Sequence, residues 1–169
     1  MTLDELAESL KSGNITVAQW EESMRDMLRR EYETAMILAK GGRENITQSD
    51  WGYEGSALKK QYAYLNNFAK EIAADPAAWM SGRLNIRMDM YGESAYAALE
   101  DFRAREAKAQ GCDEEQNELG GADNNCNGCL TENGRGRVSI GELVPVGSRD
   151  CIINCRCTIR FYRNGELVS

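Results

Sequence analysis

The stretch Cys126-Asn-Gly-Cys129, a polar Gly-rich segment, then Cys151-Ile-Ile-Asn-Cys155-Arg-Cys157 decides how the rest of the chain is read. It holds five of the six cysteines in the sequence. A Cys-x-x-Cys pair facing a second cysteine group about twenty residues on has the spacing of a structural zinc ribbon or knuckle. Zn²⁺ takes four soft or borderline ligands at tetrahedral angles, and the chain contains no histidine. The expected site is therefore all cysteine: one Zn²⁺ held by Cys126, Cys129, Cys151 and Cys155, with Cys157 as the alternate ligand. Cys151 and Cys155 are preferred because the loop between them is long enough to wrap an ion. Cys157 would share a strand face with Cys155 and could replace either of the two. Two other readings stay open, namely pairing as disulfides and inert apolar thiols in a small core. The opening Met1-Thr-Leu-Asp-Glu5 is acidic and has no apolar signal region, so a reducing compartment is expected, where disulfides rarely persist.

Charge narrows the partners. A net charge of −7 over 169 residues, with Lys and Arg interleaved among Asp and Glu, leaves no basic stripe to neutralise phosphates. Sequence-specific nucleic-acid binding is not expected. No apolar run approaches the ~20 residues needed to span a bilayer, so no membrane partner is expected.

Residues 1–111 read as a helical body. Thr2 with Glu5, Thr16 with Gln19, and Thr47 with Asp50 have capping-box spacing and open three helices. Their apolar stripes are Leu3, Leu6, Ala7 and Leu10; then Trp20, Met24, Met27, Leu28, Tyr32, Ala35 and Ala39; then Trp51, Leu58, Tyr62, Leu65, Ala69 and Ile72. Asp75-Pro76 opens a fourth helix, whose stripe runs from Met80 through Leu84, Met88 and Tyr91 to Phe102. Such stripes are far more often core than cofactor site, and short joining loops favour an antiparallel bundle. The run from Gln61 to Phe68 carries aromatics on more than one face. Tyr62, Tyr64 and Phe68 are read either as an interface with another chain or as bundle core.

Residues 112–125 are acidic, rich in Gly and Asn and without periodicity, and read as a linker, with Cys112 a free thiol outside the cluster. Residues 126–169 read as a cysteine-rich β appendage. Val138, Ile140 and Leu143 suggest short strands, Cys155 to Tyr162 alternates, and Asn164-Gly165 is a hairpin turn. The fold class expected is mainly α, an antiparallel helical bundle with a small C-terminal zinc-stapled β appendage.

Several of these stretches resemble a known group. Met27-Leu-Arg-Arg-Glu-Tyr32, Lys40-Gly-Gly42, Asp50-Trp51-Gly52, the run Gln61 to Phe68, and the cysteine end from Cys151 to Cys157 are similar to tailed-phage minor head (head morphogenesis) proteins. The resemblance covers roughly residues 15 to 162. It implies a structural or assembly component of the phage head, acting on capsid or portal proteins or on a second copy of the chain. It places the protein in the virion or the host cytoplasm. Family members often end on His-Pro-x-Cys-Arg-Cys, and the missing histidine means that no ligand set transfers position by position.

Enzyme chemistry finds little footing. Without histidine, Ser-His and Cys-His nucleophile pairs are excluded. Gly134-Arg-Gly-Arg137 lacks the Lys-Ser/Thr of a phosphate loop. The function expected is non-enzymatic head assembly; the alternative is a zinc-binding adaptor or regulator absent from the virion.

Overall fold

The protein is described here from a computed structural model covering residues 1–121, 125–152 and 155–168. Local capping starts the first three helices. The Thr2 hydroxyl accepts the Glu5 backbone N–H, and the Glu5 carboxylate accepts that of Thr2 at 2.7 Å, opening α1 (Leu3–Lys11). Thr16 and Gln19 make the same exchange at α2 (Val17–Lys40), and Thr47 and Asp50 at α3 (Gln48–Ala74). Each box satisfies two backbone donors that a helix start otherwise leaves bare. Asp75 caps α4, with Pro76 in its first turn.

The fourth helix is not continuous as its stripe suggested. α4 (Pro76–Trp79) stops after one turn, Gly82 takes φ +93°, and α5 (Arg83–Ala109) begins afresh. A left-handed residue has no place inside an α-helix, and glycine adopts it without steric cost.

Contacts divide the chain into two compact units. The first is Met1–Thr34 with Ile46–Ala95, and the second is Ala35–Asn45 with Tyr96–Ser169. α2 and α5 therefore each give one end to either unit, and the division differs from a body ending at residue 111.

In the first unit, Trp20 packs edge-on against Phe68 at 5.4 Å between ring centroids, and the Tyr62 hydroxyl donates to the Arg25 carbonyl. These pairs run in opposite directions along α2 and α3 and set the two helices antiparallel. Phe68 also meets Trp79 at 4.9 Å and stacks on Tyr91 at 6.2 Å. Leu6, Leu10, Met24, Leu28, Leu65, Ile72, Leu84 and Met88 fill the rest of that core.

Two expectations about this unit are corrected. Phe68 is 0% exposed and is core, not interface. Tyr62 is half-buried, with Arg25 over its ring, whereas Tyr64 is 59% exposed and alone of the three faces solvent. Trp51, read as buried, is 38% exposed. Stepping back from Leu58 by fours, the buried line passes through Glu54 and Asp50 and leaves Trp51 at its rim.

Glu54 is the unusual member of that line. It is buried, and its Oε1 has no hydrogen-bond partner. Burial pushes its carboxyl above the ordinary range, Glu33 adds to the rise, and Arg29 opposes it.

The second unit carries a four-stranded antiparallel sheet, order β2-β1-β3-β4. Its strands are β1 (Glu114–Glu118), β2 (Arg137–Ser139), β3 (Thr158–Arg163) and β4 (Glu166–Leu167). Asn164 and Gly165, both at positive φ, make the expected hairpin turn between β3 and β4. The linker reading of 112–125 fails at 114–118. Glu-Glu-Gln-Asn-Glu has no apolar residue, yet it pairs with β2 on one side and β3 on the other. Glu115 and Asn117 are buried because distant backbone and side-chain groups satisfy them. The expected chain of short strands through residue 146 also shrinks to β2. The mainly α bundle with a small β end is otherwise the fold observed, and no helix among the described residues is long and apolar enough to cross a membrane.

Two outcomes are expected from the first unit. Phe68→Ala should cost about 3–5 kcal/mol in chemical denaturation, as for other buried aromatics, whereas Tyr64→Glu should stay within about 0.5 kcal/mol. Glu54 contributes instability at neutral pH. Its folded state binds a proton more tightly than its unfolded state, so stability falls as pH rises from the ordinary carboxyl range through the raised value. Glu54→Gln should accordingly raise the melting temperature at pH 7. That gain should vanish near pH 4, and thermal melts at the two pH values check it.

Candidate metal centre

The cysteines of the second unit are brought together by the sheet and by one short helix. α6 (Asn127–Gly134) starts at Cys126, whose Sγ is its cap and accepts the Cys129 backbone N–H at 3.3 Å. The Cys-x-x-Cys pair is thus a helix start, a place where backbone donors favour thiolate. Asn117 of β1 holds this helix by donating its amide to the Cys129 carbonyl at 3.3 Å.

The second group arrives on the segment leading into β3. Cys155 and Cys157 precede the strand itself, and both are buried. Tyr96 of α5 donates its hydroxyl to the Cys157 carbonyl at 3.0 Å, and Glu100 accepts the Ile159 backbone N–H at 2.9 Å. Gly120 passes so close to the Arg156 carbonyl that a side chain there would collide with it.

Between the two groups runs a loop pinned by buried polar residues. The Glu115 carboxylate accepts the N–H groups of Gly141 at 3.0 Å and Leu143 at 2.8 Å. Glu132 of α6 accepts that of Val144 at 3.1 Å. Arg149 donates from Nε to the Val144 carbonyl at 2.8 Å and from Nη1 to Asn117 Oδ1 at 2.7 Å. Asp150 accepts the Gly128 N–H at 2.8 Å. These bonds deliver Cys151 to the start of α6.

The result is a cluster of five thiols centred on Cys129. Its Sγ lies 3.4 Å from that of Cys151 and 3.6 Å from that of Cys155. Cys126, Cys129 and Cys151 form one group with all sulfurs within 4.8 Å of each other, and Cys129, Cys155 and Cys157 form a second. Metal–sulfur bonds of about 2.3 Å in a tetrahedron put sulfurs about 3.8 Å apart, close to the two short separations. These cysteines can hold a metal ion. All four expected ligands and the alternate Cys157 lie in the cluster, divided between two groups that share Cys129. The wrap expected through residues 153 and 154 lies outside the described residues.

All six cysteines are free thiols, so the disulfide reading is not what the structure contains. Cys112 stands apart from the cluster as read, but it is buried in the apolar core with Ala107, Leu143, Ile159 and Phe161.

Proton sharing organises the metal-free thiols. The Cys129 N–H, joined by the thiols of Cys129 and Cys151, lowers the Cys126 thiol to about 7. Burial pushes Cys151 up to about 11 and drives Cys129 well above the ordinary thiol range. Cys155 is also buried, but the Cys157 N–H and the thiols of Cys129, Cys151 and Cys157 outweigh that and lower it. Cys126 and Cys155 are thus the thiols eased toward deprotonation, and Cys129 the one pushed away from it. A bound cation would take the place of the shared protons, since metal ligation requires thiolate.

Sequence spacing could find the cysteines but not Arg149, Asn117, Glu115 or Glu132. Their only signal is polarity, which reads as exposure until their partners are in place. No protein-family model, curated protein or solved structure matches this chain.

The shared position of Cys129 gives an ordered expectation. Cys129→Ser should abolish metal binding, because it removes the thiol common to both groups. Cys157→Ser should leave at least half of the metal content, since Cys126, Cys129, Cys151 and Cys155 remain. Cys112→Ser should keep full metal content while costing about 1 kcal/mol for a hydroxyl in an apolar core. Metal analysis of the purified variants, with denaturation curves for Cys112→Ser, checks all three.

Proposed function

We propose that this chain is a non-enzymatic assembly protein of a tailed-phage head, whose C-terminal unit is stapled by one structural Zn²⁺. The observation that carries the zinc reading is the five-thiol cluster, with Cys126, Cys129, Cys151 and Cys155 as ligands and Cys157 in reserve. A closed tetrathiolate set leaves no open position for substrate, which favours a structural over a catalytic role. Zn²⁺ is the ion suited to four cysteines in a protein with no redox partner in view. The metal would also supply what the sheet lacks. β1 brings no apolar side chain, and the short β2 and β4 bring little, so ligation energy on the order of 10 kcal/mol would order this end.

The head-assembly reading rests on the resemblance of Cys151–Cys157 and of the helical stretches to minor head proteins. Capsid or portal subunits, or a second copy of the chain, are the proposed partners. Exposed Tyr64 is the residue through which the helical part would dock, now that Phe68 is accounted for as core.

Quantitative mass spectrometry of purified particles, with metal analysis of the reduced protein, tests both halves. One equivalent of zinc and stoichiometric presence in particles are expected. Zinc with absence from particles would leave the adaptor alternative, and titratable free thiols without zinc would remove the metal reading.

A further inference from the structure

Arg149 is a buried cation without an anion. It is 5% exposed, and no carboxylate among the described residues pairs with it. Its Nε and Nη1 donate to the neutral Val144 carbonyl and Asn117 amide oxygen. Its Nη2 is buried and has no hydrogen-bond partner. The adjacent acid, Asp150, is instead engaged with the Gly128 backbone. Guanidinium does not deprotonate in proteins, so the charge stays, and burying a charge without a counter-charge is costly.

The group it faces is the thiol cluster. Nη1 lies 4.0 Å from Cys129 Sγ, the sulfur common to both thiol groups. The stem is held there by α6, since a Cβ added to Gly128 would stand 3.3 Å from the Arg149 Cβ. Arg149 is thus clamped between the helix that carries Cys126 and Cys129 and the loop that delivers Cys151.

A divalent ion held by four thiolates carries a net charge of about −2, which is itself costly in a buried site. We propose that Arg149 is the counter-cation of this centre, a positioning residue that offsets the charge of the metal–thiolate group through Cys129 and so sets how tightly the site holds its metal. The inference rests on the zinc reading above. The burial of the guanidinium among neutral oxygen partners is then explained, because the charge it faces through Nη1 is that of the ligated Cys129.

The test uses the full chain and three proteins: wild type, Arg149→Lys and Arg149→Gln. Zinc affinity is measured by chelator competition at fixed pH, and Co²⁺ serves as a spectroscopic probe of the ligand set. Arg149→Gln is expected to bind zinc 10–100-fold more weakly, the range typical of outer-shell partners of metal ligands. Its Co²⁺ complex should keep tetrathiolate absorption, with the sulfur-to-metal charge-transfer band moved to lower energy. Arg149→Lys should restore most of the affinity and the band position. Thermal melts add a second readout. Because Arg149→Gln also loses the bonds to Val144 and Asn117, it should lower the melting temperature in both states, and by more in the loaded protein than in the metal-free one.

Unchanged affinity in Arg149→Gln would overturn the proposal. So would equal weakness of Gln and Lys, or a drop in melting temperature as large without metal as with it, each of which would mark Arg149 as packing and hydrogen-bond structure only. If wild type takes up neither Zn²⁺ nor Co²⁺, the zinc reading itself falls, and the wild-type measurement alone tells that failure from the others.

Discussion

The second unit depends on holding five sulfurs around Cys129. Two of them, Cys126 and Cys129, ride on the first turn of α6, and Cys155 and Cys157 ride on the approach to β3. The fifth, Cys151, is brought in by a loop with almost no regular structure. An apolar core of Leu143, Val146, Ile159 and Phe161 packs against these segments. Buried polar groups add to their register: Glu115 bonds to Gly141 and Leu143, Glu132 to Val144, and Arg149 to Val144 and Asn117. Such networks are favourable only when every member is satisfied. An unsatisfied donor, Nη2 of Arg149, belongs to the side chain that reaches Cys129 Sγ.

The first unit follows a different logic. Its helices begin at capping boxes that need no tertiary context, and they pack through Trp20, Phe68, Trp79 and Tyr91 in edge-on and stacked contacts. Burial of large apolar side chains dominates its stability, and one partly unpaired carboxylate, Glu54, works against it. α5 joins the two regimes along its own length. Tyr91 near its middle stacks on Phe68, while Tyr96, Glu100 and Arg103 further on serve the cysteine end. A truncation after α5 would therefore strip partners from that helix.

What the chain can do chemically follows from the same contrast. Thiols that share protons around a helix start are poised to exchange them for a cation, and they are closed in by Tyr96, Asn117 and Arg149.

Some of this was legible in the sequence because its cause is local. A Thr three residues ahead of Glu or Asp caps a helix through its own backbone, Asn164-Gly165 turns because both residues accept positive φ, and Cys-x-x-Cys clusters two thiols wherever it sits. Other features were decided only by tertiary structure. Phe68 and Tyr64 look alike as aromatic residues on one helix, and only the packing of α2, α4 and α5 makes one core and leaves the other exposed. β1 reads as a solvated acidic loop, because the groups that neutralise and bond Glu115 and Asn117 lie more than twenty residues away. Arg149 is the extreme case. An arginine between Ser148 and Asp150 carries no sign of burial, and its place beside Cys129 exists only when helix, sheet and loop have closed around it.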